Sequence, residues 1–199
     1  MRGAMGKLIA GLLGIAGVLG SSAVLAQEQG LYLGGAFGQT KLNACGDARD
    51  AFALFGGTVS SCDDKDSGWK FFGGYRVNRN FAIELTYIDW GAISGSGRLV
   101  GIPVSLGGDA TSFGAAAVGI LPLNERFSLF GKAGMLMTTA SATISGGGIT
   151  SSADEDDTEL HIGVGALFNL TENWSIRAEW ERAQDSKLDM ISVGVQYRF

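Results

Sequence analysis

The last nine residues constrain the fold more than any other stretch, because Ile191, Val193, Val195, Tyr197 and Phe199 alternate without a break against Ser192, Gly194, Gln196 and Arg198. A period of two marks an extended strand with two chemically different faces. Trp174, Ile176, Ala178 and Trp180 alternate in the same way with Ser175, Arg177, Glu179 and Glu181. So do Trp69, Phe71, Gly73, Tyr75 and Val77 with Lys70, Phe72, Gly74 and Arg76, and Phe81, Ile83, Leu85 and Tyr87 with Ala82, Glu84 and Thr86. A soluble sandwich alternates too, so the period alone does not choose an architecture. The chemistry of the faces narrows the choice: one is apolar with aromatics at its ends, and the other mixes Gly, Ser and Thr with charges of both signs.

Segment length and connection length decide. Eight segments of about ten residues, the span of a tilted transmembrane strand, fall at 30–40, 68–77, 81–90, 111–121, 127–138, 158–170, 174–182 and 188–199. The fourth is rich in Gly and Ala, and its outward face is ambiguous. The connections alternate between short (78–80, 122–126, 171–173) and long (41–67, 91–110, 139–157), with 183–187 a short fourth member of the second set. Short turns on one side and longer loops on the other are the rule for a barrel in the outer membrane. The predicted fold is therefore all-β, an eight-stranded antiparallel up-and-down transmembrane barrel.

Residues 1–26 read as a secretory signal peptide, leaving 27–199 as the barrel domain. Arg2 and Lys7 supply the positive start, an apolar run follows, and Val24-Leu25-Ala26 gives the small-residue cleavage site. The competing reading is a retained anchor; Gly11, Gly14, Gly17 and Gly20 weaken it, each costing about 1 kcal/mol in a helix. The whole chain carries −5, and losing Arg2 and Lys7 makes the mature protein more acidic still. That argues against nucleic acid as a partner, since its recognition begins from a basic face.

Individual residues offer little chemistry of a catalytic kind. His161 is the one histidine, and alternation places it on the polar, inward face, where a hydrogen-bonding role is expected; a catalytic base would need a positioned nucleophile and an orienting partner. An outer-membrane lipid A deacylase would pair a histidine with a serine two positions on, but that position is Gly163. Asp154, Glu155, Asp156 and Asp157 with Glu159 could offer oxygen ligands to a divalent cation, yet nothing fixes a geometry, and a solvated acidic run is the plainer reading. No cofactor or metal is expected. Cys45 and Cys62, 17 positions apart, would meet an oxidising compartment after export, so a disulfide closing the first long loop is expected, worth about 3 kcal/mol in the chain-entropy model. A metal site or a reactive thiol is the alternative.

The stretch GWKFFGGYRVNRNFAIELTYIDWG at 68–91 resembles the second and third strands of the OmpA-like family of eight-stranded outer-membrane barrels. GVGALFNLTENWSIRAEWER at 163–182 is similar to that family's sixth and seventh strands, and SVGVQYRF to its closing strand. The resemblance implies that Tyr197 and Phe199 form the terminal assembly signal read by the outer-membrane insertion machinery. It also implies a small, barrel-only member in the outer membrane of a Gram-negative bacterium, in contact with outer-membrane lipid and lipopolysaccharide. Such members serve envelope integrity and adhesion, with a host or cell-surface ligand at the loops.

Two functions follow as expectations: a structural or surface-interaction barrel without catalysis, favoured as a monomer, and alternatively a narrow diffusion channel. Eight strands enclose an interior just wide enough for side chains to fill, which favours the first. The interior is predicted to hold a polar network of Lys70, Arg76, Glu84, Lys132, His161, Arg177, Glu179 and Glu181, with Glu84 the diagonal neighbour of Arg76 across the 78–80 turn. Trp69 and Trp90 near one rim, and Phe81, Phe127 and Trp174 near the other, are expected as interfacial aromatics.

Overall fold

The structure is a computed structural model that describes residues 29–42, 58–63, 65–99, 102–146 and 149–199; the expected signal peptide and Cys45 lie outside them. The described residues contain nine strands: β1 (Gly30–Leu42), β2 (Thr58–Asp63), β3 (Lys65–Asn78), β4 (Phe81–Leu99), β5 (Ile102–Pro122), β6 (Phe127–Gly146), β7 (Ile149–Asn169), β8 (Trp174–Ala183) and β9 (Leu188–Arg198). Eight of them close on themselves. β1 pairs with β3 and β9, and the ladder runs on through β4, β5, β6, β7 and β8, every pair antiparallel. Each expected segment falls within one of these staves to within a residue, and in β4 to β7 it occupies the end next to the short turns. β2 was not foreseen; it adds to the outer part of β4, from Thr58 opposite Arg98 to Asp63 opposite Ser94.

Three turns at one end share one local design. Asn78 Oδ1 accepts from the amides of Asn80 (2.8 Å) and Phe81 (3.0 Å), and Asn124 Oδ1 from those of Arg126 (2.9 Å) and Phe127 (2.8 Å). Thr171 Oγ1 does the same for Asn173 (3.3 Å) and Trp174 (3.0 Å). A short polar side chain thus closes each turn on itself. The last amide it holds belongs to the aromatic that begins the next strand.

The burial pattern is inverted relative to a soluble protein. Phe37, Met137, Ile191 and Phe199 stand outward and more than 65% exposed, while Lys70, Glu84 and Glu181 are at most 1% exposed inside. In the fourth segment Phe113 and Leu121 point out, and Ser112, Ala116, Val118 and Ile120 point in, which resolves its outward face. A continuous apolar band of this extent belongs in hydrocarbon, where a closed ladder leaves no backbone group unpaired.

The regions expected as the second and third long loops, 91–110 and 139–157, are largely strand instead. β4 through β7 run on past the apolar band as paired hairpins, their backbone ladders continuing from the membrane-spanning register. Along the outward face of β6, Met135 and Met137 give way to Thr139, Ser141 and Thr143; on β7, Leu160 gives way to Thr158, Asp156 and Asp154. The strand does not break, but its outer solvent changes there from lipid to water. On β4 the same level carries a bulge between Asp89 and Ala92. Gly91 sits in it at φ 78°, a conformation that favours glycine, and the Asp66 carboxylate holds the Ala92 amide at 2.6 Å.

This boundary predicts a depth-dependent response. Ala133→Arg, on the lipid face at mid-wall, should destabilise the barrel by about 2–4 kcal/mol, and Thr143→Arg, above the boundary, by less than about 1 kcal/mol. Urea titration in lipid vesicles, read by the gel shift between folded and boiled protein, distinguishes them; equal losses would move the boundary.

Candidate functional site

The inward parity of β3, β4, β6 and β8 delivers one charged belt across the lumen. On β4 the inward order from the short-turn end is Ala82, Glu84, Thr86, Ile88, and on β6 it is Phe130, Lys132, Gly134, Leu136. Lys132 thus sits between Phe130 and Gly134, and Glu84 between Ala82 and Thr86, while β8 presents Arg177, Glu179 and Glu181 in succession. Below the belt lies a cluster of Tyr32, Ala36, Phe72, Ala82, Val118, Ile120, Phe130 and Leu167; above it lies another of Ile88, Trp90, Leu136, Ala183, Leu188 and Met190.

Three cations face three carboxylates in the belt. Arg177 grips Glu84 with both terminal nitrogens, Nη1–Oε2 at 2.6 Å and Nη2–Oε1 at 3.0 Å, and its Nε reaches Glu179 Oε2 at 3.0 Å. Lys70 Nζ donates to Glu179 Oε2 at 2.6 Å and also to Glu181 Oε1. Lys132 Nζ lies 2.5 Å from Glu179 Oε1, 2.7 Å from Glu181 Oε2 and 3.8 Å from Glu84 Oε1. The Lys132–Glu179 contact is an ion pair without hydrogen-bond alignment, which leaves Glu179 Oε1 without a geometric donor. His161 Nε2 meets Glu181 Oε2 at 3.0 Å; a carboxylate only accepts, so the proton belongs on Nε2, and Nδ1 faces inward without a partner among the described residues.

Aromatic rings brace the same groups. The guanidinium carbon of Arg177 is 4.2 Å from the centre of the Phe72 ring and 4.4 Å from that of Phe130. Tyr32 donates its hydroxyl to Glu84 Oε2 at 2.9 Å. All three rings lie across glycines: a Cβ at Gly34 would strike Phe72, one at Gly74 would strike Tyr32, and one at Gly165 would strike Phe130.

Of the residues expected inside, Lys70, Glu84, Lys132, His161, Arg177, Glu179 and Glu181 come together in the belt. Arg76 has the inward parity and pairs with Ala82 as expected, but it is half-buried near the short-turn end, and the bidentate partner of Glu84 is Arg177. Trp90 corrects the expected rim anchor: it is 2% exposed, inside, and its Nε1 donates to Ser112 Oγ at 2.7 Å. Its even number on a strand whose outward residues are Phe81, Ile83, Leu85 and Tyr87 carried that signal. Glu159, grouped with the acidic run, is 1% exposed and inside; Asp154, Glu155, Asp156 and Asp157 are exposed, and no group of three or more metal-ligating side chains forms among the described residues.

The other aromatics face outward. Trp69 packs edge-on against Phe71 at 5.2 Å and beside Tyr87 at 5.5 Å. At the opposite end Trp174, Tyr197 and Phe199 stack edge to face at 5.0 Å each; Phe81 and Phe127 begin their strands at that same end. Cys62 lies in β2, its backbone opposite Gly95; the expected bridge to Cys45 falls outside the described residues.

Removing one member of the belt leaves its partner's charge buried. Arg177→Met should therefore destabilise the barrel by about 3–5 kcal/mol. Adding Glu84→Gln to Arg177→Met should recover part of that loss in a double-mutant cycle by denaturant unfolding. Additive losses would show that the pair is not coupled.

Comparison with known proteins follows from this geometry. The model of the outer membrane protein beta-barrel domain matches residues 10–199. Among solved structures, Ail, the attachment invasion locus protein of Yersinia pestis, is similar at TM-score 0.53 and 21% identity, over 86% of this chain and 98% of that one. It has also been solved in complex with the heparin analogue sucrose octasulfate. The N-terminal beta-barrel domain of Pseudomonas aeruginosa OprF is similar at TM-score 0.52 and 15% identity, over 86% and 99% of the two chains. Neisserial surface protein A is similar at 0.52 and 16%, over 85% and 97%. At such identities the likeness concerns the fold. No curated protein matches the sequence.

Proposed function

Because the chain belongs to the outer membrane protein beta-barrel domain family, and so lies in the outer membrane of a Gram-negative bacterium, we propose that it is a closed, non-catalytic scaffold that presents its tall hairpins at the cell surface. The observation that carries this reading is the lumen: three cations and three carboxylates interlock between two apolar layers, so a continuous water path would need several buried charges to separate at once. A charge buried without its partner costs several kcal/mol. The expected diffusion channel has no such observation in its favour.

The surface role rests on the hairpins of β4 to β7, which stand above the apolar band with Ser, Thr and Asp on their outer face. Asp109 and the run from Asp154 to Asp157 are exposed there. A polysulfated ligand such as the heparin analogue solved with Ail would meet like charge, so the partner we propose at this surface is not a polyanion. Membrane lipid and the insertion machinery are the remaining partners, the latter through Tyr197 and Phe199 at the closing strand.

Single-channel recording in planar bilayers tests the scaffold. The parent protein should be nearly silent, and Glu84→Ala should introduce openings; large, stable openings of the parent would establish the channel instead. Quantitative thiol labelling tests the proposed bridge of Cys45 and Cys62: no thiol should react until a reductant is added, and labelling without one would remove the bridge from the account.

A further inference from the structure

Among the described residues, Glu159 is the one buried lumen acid that the charged belt does not use. Its carboxylate accepts from Thr138 Oγ1 at 2.6 Å, from the amides of Asp185 and Ser186 at 3.0 and 2.9 Å, and from Ser186 Oγ at 2.8 Å. Every one of these partners is a neutral donor, where the belt below is built of ion pairs. Two of them are consecutive backbone amides of the turn between β8 and β9.

The donors further back have a fixed direction. Thr138 has a single proton and gives it to the carboxylate, which can only accept. The 2.8 Å contact between Ser112 Oγ and Thr138 Oγ1 must then run from Ser112 to Thr138, and Trp90 Nε1, a donor only, supplies Ser112 at 2.7 Å. The chain Trp90 to Ser112 to Thr138 to Glu159 thus crosses β4, β5, β6 and β7 in one direction. It ends on the acid that holds the turn, and each bond polarises the next.

A surface turn in water needs no acceptor from another strand, since solvent satisfies its amides. Here the acceptor comes from β7 and is 1% exposed, and Ala183, Leu188 and Met190, which flank the turn in sequence, are 0, 6 and 0% exposed. We propose that Glu159 is a latch that buckles the β8–β9 turn, residues 184–187, down over the outer mouth and seals the lumen independently of the charged belt. Replacing the carboxylate by an amide turns one of its two acceptors into a donor. That donor would meet either the amides of Asp185 and Ser186 or the Thr138 hydroxyl, which already donates along the chain; in both orientations a bond of the latch is lost, and the turn would lift.

The test places Met190→Cys under the turn, in a Cys45→Ser, Cys62→Ser background, and labels intact cells with a membrane-impermeant maleimide. With Glu159→Gln added, labelling should accelerate at least about tenfold, as the loss of charge-assisted hydrogen bonds implies. The amides of Asp185 and Ser186 should exchange hydrogen faster by a similar factor. Unchanged labelling and exchange would overturn the latch. If Glu159→Gln yields no heat-modifiable band, Ser186→Ala, which keeps the carboxylate and removes one donor, must still raise exchange at Asp185, and no rise overturns the latch. Single-channel recording separates the two proposals: Glu159→Gln should remain silent because the belt is intact. Conductance in that variant, together with faster labelling, would count against the belt as a seal and leave the latch standing.

Discussion

Hydrocarbon offers no hydrogen bond to a backbone amide or carbonyl, and each one left bare costs several kcal/mol. Everything else in this structure follows from satisfying that demand with strands. Pairing β1 with β9 removes the two edges an open sheet would expose to lipid. Closure at eight strands then fixes a lumen so narrow that side chains must fill it. Outside, any side chain that lipid accepts will serve; inside, each must fit its neighbours.

The lumen meets that requirement with layers. Tyr32, Phe72 and Phe130 make an aromatic floor, the belt of paired charges lies on it, and Ile88, Leu136 and Met190 cover the belt. The charges survive burial because each cation contacts at least two acceptor oxygens and the belt is balanced among its Lys, Arg and Glu members. Its geometry also joins distant parts of the chain. Lys70 on β3 meets Glu181 on β8, and Arg177 on β8 meets Glu84 on β4, so the contacts cross the lumen where the ladder can only run around it.

The sequence made most of this legible, because a period of two names the face as soon as one residue on the strand is placed. Seven of the eight interior residues expected from alternation sit in the belt, and the eighth, Arg76, shares its parity. Trp90 has the residue type of a rim anchor, but its number puts it with Glu84 and Ile88; Glu159 has acidic neighbours, but it shares the parity of His161. Tyr32 carried the same signal between Leu31 and Leu33. The continuation of β4 to β7 beyond the membrane was not legible, because Gly, Ser and Thr at 91–110 and 139–157 look like loop when strand is inferred from apolar alternation. Above the boundary both faces meet water, and the pattern that reports a strand in lipid fades while the ladder persists.

A further property follows from where the charges are. A strand slipped by one residue exchanges its faces, and a barrel with apolar side chains on both faces would lose little by the slip. Here the same slip would put Lys70, Glu84, Lys132, Arg177, Glu179 and Glu181 into lipid, where each costs about a few kcal/mol at mid-depth, and would draw Phe71, Leu85 and Ile176 into the lumen. The penalty falls on β3, β4, β6 and β8, strands spaced around the wall, so no single hairpin can slip unopposed. On this argument the belt contributes less to the depth of the native minimum than an apolar filling of equal fit. Its larger effect is on the alternatives, each of which must expose an unpaired charge to lipid before it can form.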